Sequence, residues 1–178
     1  MKRLFNALAS AWGVLALFSA SNSFAQPSSG ASGAPAVRIG VYDSRAIAIA
    51  YAGSPFQQQK MNTLKAAHQR AKDAGDSAET SRLAAEAKAQ QAVLHKQGFG
   101  TAPVDDLLAH IAADLPKIQA EAGIAQLVSK WNTAELEKHA NAERVDVTMK
   151  LVDAFQPNEK QRKYAIEIQS LATGLPRR

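Results

Sequence analysis

The sequence predicts a mainly α-helical protein with a small β element. The order is strand, helix, long helical hairpin, strand, helix, and the sheet is completed by oligomerisation. Two observations predict the helical part. Alanine supplies 36 of the 178 residues, and the 153 residues after position 25 hold only 36 larger apolar side chains. That supply suits helices packed in thin layers and argues against a β-sandwich or a doubly wound α/β enzyme. A third observation predicts the sheet: two short strand-like runs stand at either end of a helical excursion over 54–122.

Taken in order, Val37-Arg38-Ile39-Gly40-Val41-Tyr42 alternates with the period of a half-buried strand. Asp43 or Ser44 can cap a helix over 45–52, and Gly53 ends it. Ser54-Pro55-Phe56-Gln57 is a capping box with Pro at the first helical position. A second capping box, Asp76 with Glu79, interrupts the helix near Gly75, and helix resumes to about Lys96. Leu83, Ala87 and Leu94 share one face of it, where Gln90 breaks the apolar stripe. The loop Gln97–Pro103 reads as the hairpin turn. Beyond it Val104, Leu107, Leu108, Ile111, Leu115, Ile118 and Ala122 form one apolar stripe, in a helix that Pro116 should kink. Gly123 stops that helix and Ile124–Val128 reads as the second strand. Asn132 and Glu135 cap a short helix to about Ala142, Thr148 caps the next, and Asn158 caps a last one ending at Gly174.

The ends and the charge bound location and partners. Met1-Lys2-Arg3, the apolar run Leu4–Ala20 and Ser23-Phe24-Ala25 read as a cleavable signal peptide over 1–25, so a periplasmic, exported protein is expected. Residues 26–36 form a flexible linker, and no later segment reads as a stable membrane insertion. Residues 26–155 balance at 14 basic against 14 acidic side chains, whereas the helix and tail over 156–178 are basic. A nucleic-acid partner is therefore not expected, because such a protein concentrates cations on its folded surface.

The two expected arms differ in charge. Residues 54–98 carry seven basic and four acidic residues, and 99–122 one basic and four acidic, which favours their antiparallel pairing. Two strands alone make a marginal sheet with open edges, so a homo-oligomer is expected. Its shared core would hold Val37, Ile39, Val41, Leu127 and Trp131.

This order of elements resembles the Skp/OmpH family of periplasmic chaperones. The likeness rests on Val37-Arg38-Ile39-Gly40-Val41-Tyr42-Asp43 followed by Ser44-Arg45, on the return run Glu121-Ala122-Gly123-Ile124-Ala125-Gln126-Leu127-Val128-Ser129-Lys130, and on Val145-Asp146-Val147-Thr148 as a closing turn into the last helix. It covers about 37–155. The resemblance implies trimers whose strands build a shared barrel and whose coiled-coil arms enclose unfolded outer-membrane proteins. The chain departs from the family in a shorter hairpin, an insertion over 132–144 and the additional basic helix over 156–178.

Little in the sequence points to catalysis. Without cysteine there is no disulfide, thiolate metal site or Cys nucleophile. His68, His95, His110 and His139 show no paired ligand spacing, and Asp73, Asp76, Asp105 and Asp106 stand at helix starts, where acids cap. No G-x-S-x-G, S-x-x-K or H-E-x-x-H occurs. No enzyme activity, cofactor or metal is expected. The expected function is ATP-independent holdase activity toward unfolded polypeptides, with Met61, Leu64, Leu83, Val93 and Leu94 as client contacts. The alternative is a structural or scaffolding protein of the cell envelope with the same fold.

Overall fold

A computed structural model describes residues 37–172. The expected signal peptide, the whole linker over 26–36, and the final residues 173–178 lie outside the described residues.

Strand β1 (Arg38–Tyr42) leads directly into helix α1 (Ser44–Ala52), whose first turn is capped by Asp43 accepting from the Arg45 amide. Ser44, Ala46, Ile47, Ala48, Ala50 and Tyr51 of α1 are all buried. Its alanines are the reason it can sit at the centre, because small side chains let neighbours approach from several sides. Helix α2 (Pro55–Asp73) starts on the predicted Ser54 cap, and α3 (Ser77–Phe99) on the predicted Asp76 cap. Then come α4 (Asp105–Leu108), a single 3-10 turn at Ala109–Ile111, and α5 (Leu115–Ala122). Strand β2 (Gln126–Ser129), helix α6 (Thr133–Lys138), strand β3 (Glu143–Asp146), α7 (Thr148–Ala154) and α8 (Glu159–Ala172) complete the order.

Mainly helical with a small β element is therefore the architecture, but three particulars differ from expectation. The hairpin is α2 against α3, and its turn is at residues 74–76 rather than 97–103. Gly75 takes φ +69°, its N–H bonds Lys72 O, and the Asp76 N–H bonds Ala71 O, a left-handed termination only glycine enters cheaply. Asp76 then caps α3, so one short segment stops a helix and starts the next. The expected charge pairing plays no part: α2 has four basic and one acidic residue, α3 three basic and two acidic. Burial of Ala71 and Leu83 in the seam decides instead.

The segment expected as the second arm lies on the body. At the 97–103 loop, Gln97 Nε2 donates to Pro103 O at 2.9 Å and to Asp106 Oδ1 at 2.8 Å, bending the chain back. The predicted stripe is real, since Val104, Leu107, Leu108, Ile111, Ile118 and Ala122 are all buried in the main core. Pro116 does not kink a continuous helix. It stands in the first turn of α5, where its missing N–H costs nothing.

The third difference is the sheet. Val145-Asp146-Val147 was expected as a closing turn, yet Glu143–Asp146 is a strand. The sheet order is β2-β1-β3, with β1 parallel to both neighbours. A charged edge strand gives no apolar alternation to read, and charge there protects an edge from mispairing. Helices lie on both faces of this parallel sheet, a small-scale version of the α/β layering that composition argued against. Three strands from one chain also remove the argument that two strands must borrow others.

Gly40, in the middle of β1, is required by packing. A Cβ there would stand 2.3 Å from Ile124 Cδ1 and 3.0 Å from Val147 Cγ2. Below this strand the main core gathers Tyr42, Ile47, Tyr51, Leu151, Val152 and Phe155. Phe155 meets the rings of Tyr51 and Phe56 edge-on at 6.1 and 6.4 Å. Helix α8 closes over α1, with Ala165 fully buried and Arg162 bonded to Asp153 at 2.7 Å. Among the described residues no helix is long and apolar enough to cross a membrane.

Candidate functional site

The residues expected to share an oligomer core do not share a face. Parallel register sets Val41 beside Val128 and Gly40 beside Leu127. Ile39, Val41 and Val128 therefore form a small cluster with Leu136 and Ala142, while Leu127 packs into the main core on the opposite face. Ile39 is 0% exposed within a single chain, whereas Val37 is 58% exposed. Assigning Leu127 to the Ile39 face was a one-residue register error, which inverts every side chain of a strand.

Trp131 is elsewhere too, at the carboxyl ends of β1 and β2. Its indole Nε1–H donates to Asp43 Oδ1 at 3.1 Å, and Arg45 and Lys130 lie over its ring at 4.7 and 4.9 Å. Asp43 also accepts from the Arg45 amide, from Arg45 Nε and Nη2, and from Lys130 Nζ at 2.6 Å. Burial alone would push this carboxyl up. The hydrogen bonds from Arg45, Lys130 and Trp131 together outweigh it and hold the group below the usual carboxylate range. The Asp43 N–H in turn donates to Thr148 Oγ1 at 3.1 Å. Thr148 was expected to cap α7, but Asp146 Oδ1 accepts from the Thr148 amide instead, at 2.8 Å.

This is where open parallel sheets commonly place ligands, since the connections after β1 and β2 leave for opposite faces. Here, however, the carboxylate already receives five donors and has no lone pair to spare for a base's work. The cluster is a latch tying the three strand ends together. The sequence showed Asp43 only as a helix cap, because two of its partners, Lys130 and Trp131, stand 87 and 88 positions away.

The expected client contacts spread around the base of the hairpin. A cleft of about 550 Å³ lies between α2, α3 and the 3-10 turn, lined by Phe56, Lys60, Leu64, Leu83, Gln90 and His110. A second of about 380 Å³ is lined by Tyr51, Lys60, Gln90, Val93, Leu94 and His110, so Lys60, Gln90 and His110 border both. Leu83 is buried in the hairpin seam, Met61, Leu64 and Leu94 are half-buried, and Val93 is 51% exposed. The His110 ring stands 5.1 Å from that of Tyr51 and 5.3 Å from that of Phe56, an aromatic shelf that the sequence reading missed. Burial and the Asp106 charge raise the Tyr51 phenol.

A third cleft, about 520 Å³, opens where α3 and α8 flank α1, with Ile49, Leu94, Phe99, Tyr164, Ile168 and Leu171 among its walls. It is mostly apolar, and Phe99 is 76% exposed beside it. Among the described residues no three histidines, aspartates or glutamates gather where they could hold a metal ion.

Comparison of the chain with protein-family models, with curated proteins and with solved structures returned no match in any of the three. The fold and its clefts thus define the protein by architecture: a mainly helical body around a three-stranded parallel sheet, bearing a short two-helix arm.

Proposed function

We propose that this chain is an exported, periplasmic, ATP-independent holdase-like chaperone of the Skp/OmpH kind, which binds unfolded polypeptides such as outer-membrane proteins, acts without cofactor, and is not an enzyme. The observation that supports this reading best is the amount of apolar surface the hairpin base leaves open. Leu64 and Val93 line clefts beside the seam residue Leu83 and the core-packed Leu94, and Phe99, Tyr164 and Leu171 are exposed around the third. Apolar side chains left open in clefts offer a surface on which an unfolded chain could bind. Self-association as a trimer belongs to the same proposal, and the outer edges of β2 and β3 are the strand surfaces it would use.

One observation favours the second reading, a structural or scaffolding role in the cell envelope. The arms have 19 and 23 residues, about 30–35 Å at 1.5 Å per residue, a short reach for enclosing a client. Suppressed aggregation of an unfolded β-barrel protein separates the two. The chaperone reading expects suppression at stoichiometric ratio without nucleotide, and unchanged aggregation would overturn it in favour of scaffolding.

A further inference from the structure

The apolar cleft between α1, α3 and α8 stands open in the single chain, and what lies around it matches a second copy of the same surface. Ile49, Leu94 and Ile168 are among its walls. On its rim Phe99 is the most exposed large apolar side chain among the described residues. A bare ring beside an apolar hollow offers a knob and a hole together. Two-fold symmetry makes such a surface complementary to itself, because each copy brings both parts.

Charge on α8 favours the same occupant. Lys160 and Glu167 stand seven residues apart, two helical turns, so they share a face with roughly 10 Å between them. That face is turned away from the buried Ala165. Neither side chain forms an ion pair among the described residues. Tyr164 lies between them, its ring centroid 5.8 Å from Lys160 Nζ. A face basic at one end and acidic at the other matches itself when turned end for end, so an antiparallel copy sets each Glu167 against the other's Lys160. Lys163, about 100° round the helix from Tyr164, is exposed at the edge of this face. Arg162 is already held by Asp153.

We propose that two copies of this chain pair about a two-fold axis across α8, with Phe99 of each copy entering the cleft of the other and each Glu167 facing the other's Lys160. The contact uses neither the outer edges of β2 and β3 nor the hairpin-base clefts, so it stands independently of the holdase reading and of the trimer. It is confined to one face of α8 and the end of α3, which makes for a weak pair. In the pair the apolar surface around the third cleft is covered, and the hairpin base remains for clients.

Size exclusion coupled to light scattering on the whole protein tests this, at concentrations up to about 100 µM, where weak pairs are populated. Mass should rise with concentration to an even number of chains. Phe99→Asp, at an exposed position, should keep the circular dichroism spectrum and halve the mass. Glu167→Lys and Lys160→Glu each put like charges together twice, so each should weaken pairing about tenfold. Mixing these two variants sets lysine against glutamate at both contacts and should restore pairing, which a folding defect could not do. The double variant should pair with itself for the same reason. A monomer throughout the range, or no recovery on mixing, would overturn the proposal. So would a mass of three chains that Phe99→Asp leaves unchanged, which would keep the strand-edge trimer. A monomer that takes up an apolar dye, and loses it in Phe99→Asp, would give the cleft to a small apolar ligand and also overturn the pairing. Suppressed aggregation with no pairing sinks this contact alone, whereas pairing as described with no suppression sinks the holdase reading alone.

Discussion

Helices α1 and α2 are neighbours in sequence and opposites in circumstance. Of the nine residues of α1, six are buried, whereas of the nineteen of α2 only Ala71 is. Helix α1 is held by α3, α7 and α8 around it and by its buried cap Asp43. The α2–α3 arm has no such surroundings. It relies on a thin seam, a glycine-dependent turn, and ion pairs such as Glu79–Arg82 at 2.7 Å that lie on its exposed surface, where such pairs contribute little. The difference teaches that stability and surface for binding are divided between the two regions. The body can carry a projecting arm because only the C-terminal end of α3, through Leu94, Gln97 and Gly98, is built into it, while nearly all of α2 stays at the surface.

The comparison can be broken most severely at Phe155. It is fully buried and touches Tyr51 and Phe56, so Phe155→Ala should cost about 3–5 kcal/mol and unfold body and arm together. Urea denaturation followed by far-UV circular dichroism measures this, and an unchanged midpoint would mean the core is not where the packing puts it.

Next in size is Asp43→Asn, which leaves Arg45 and Lys130 without their carboxylate and should cost about 2–3 kcal/mol, since charged hydrogen bonds are the strong ones. The pH dependence has a definite sign. The folded-state pKa is depressed, so the stabilisation is fully present above the unfolded value of about 3.9 and is lost as pH falls through the lower folded value. The wild type should therefore lose stability on that acid side more steeply than Asp43→Asn. Urea midpoints taken between neutral and strongly acidic pH would show parallel curves if the latch were unimportant.

Leu83→Ala should cost about 2 kcal/mol, and here the comparison sharpens, because the loss should appear in the arm and spare the body. Amide hydrogen exchange should accelerate over α2 and α3 while α1 keeps its protection. The smallest effect belongs to Gly75→Ala. Its side chain would meet nothing, but at φ +69° it would strain the backbone, costing about 1 kcal/mol and confined to exchange near the hairpin turn.

Much of this fold was legible because much of it is local. The caps at Asp43, Ser54, Asp76, Asn132 and Asn158 each accept from an amide two or three residues on, so a short window of sequence contains the whole interaction. Gly123, at φ +62°, ends α5 as expected for the same reason. The stripe from Val104 to Ala122 correctly marked which side chains go inward. It could not say against what, and it was given to a hairpin arm instead of the body. Strand β3 escaped notice because Glu143, Arg144 and Asp146 look outward from an edge. For the site, four of the expected client residues, Leu64, Leu83, Val93 and Leu94, stand at two neighbouring clefts and Met61 lines neither, and Gln90 was visible as an interruption. The Tyr51–His110–Phe56 shelf and the Asp43 latch were not, since their members come from separate elements.

What this sequence determined by itself is where most helices begin and most of the side chains that turn inward. Capping, glycine conformation and apolar periodicity act within a turn or two of chain, and no distant contact is needed to settle them. Which elements meet was decided only by tertiary structure. The pairing of α2 with α3, the third strand beside β1, the face on which Leu127 lies and the joining of two clefts at Gln90 all depend on contacts between residues far apart in the chain. Such contacts form where shapes fit and apolar surface is buried, as Ile124 fits over Gly40, and a periodic pattern carries no record of its partner.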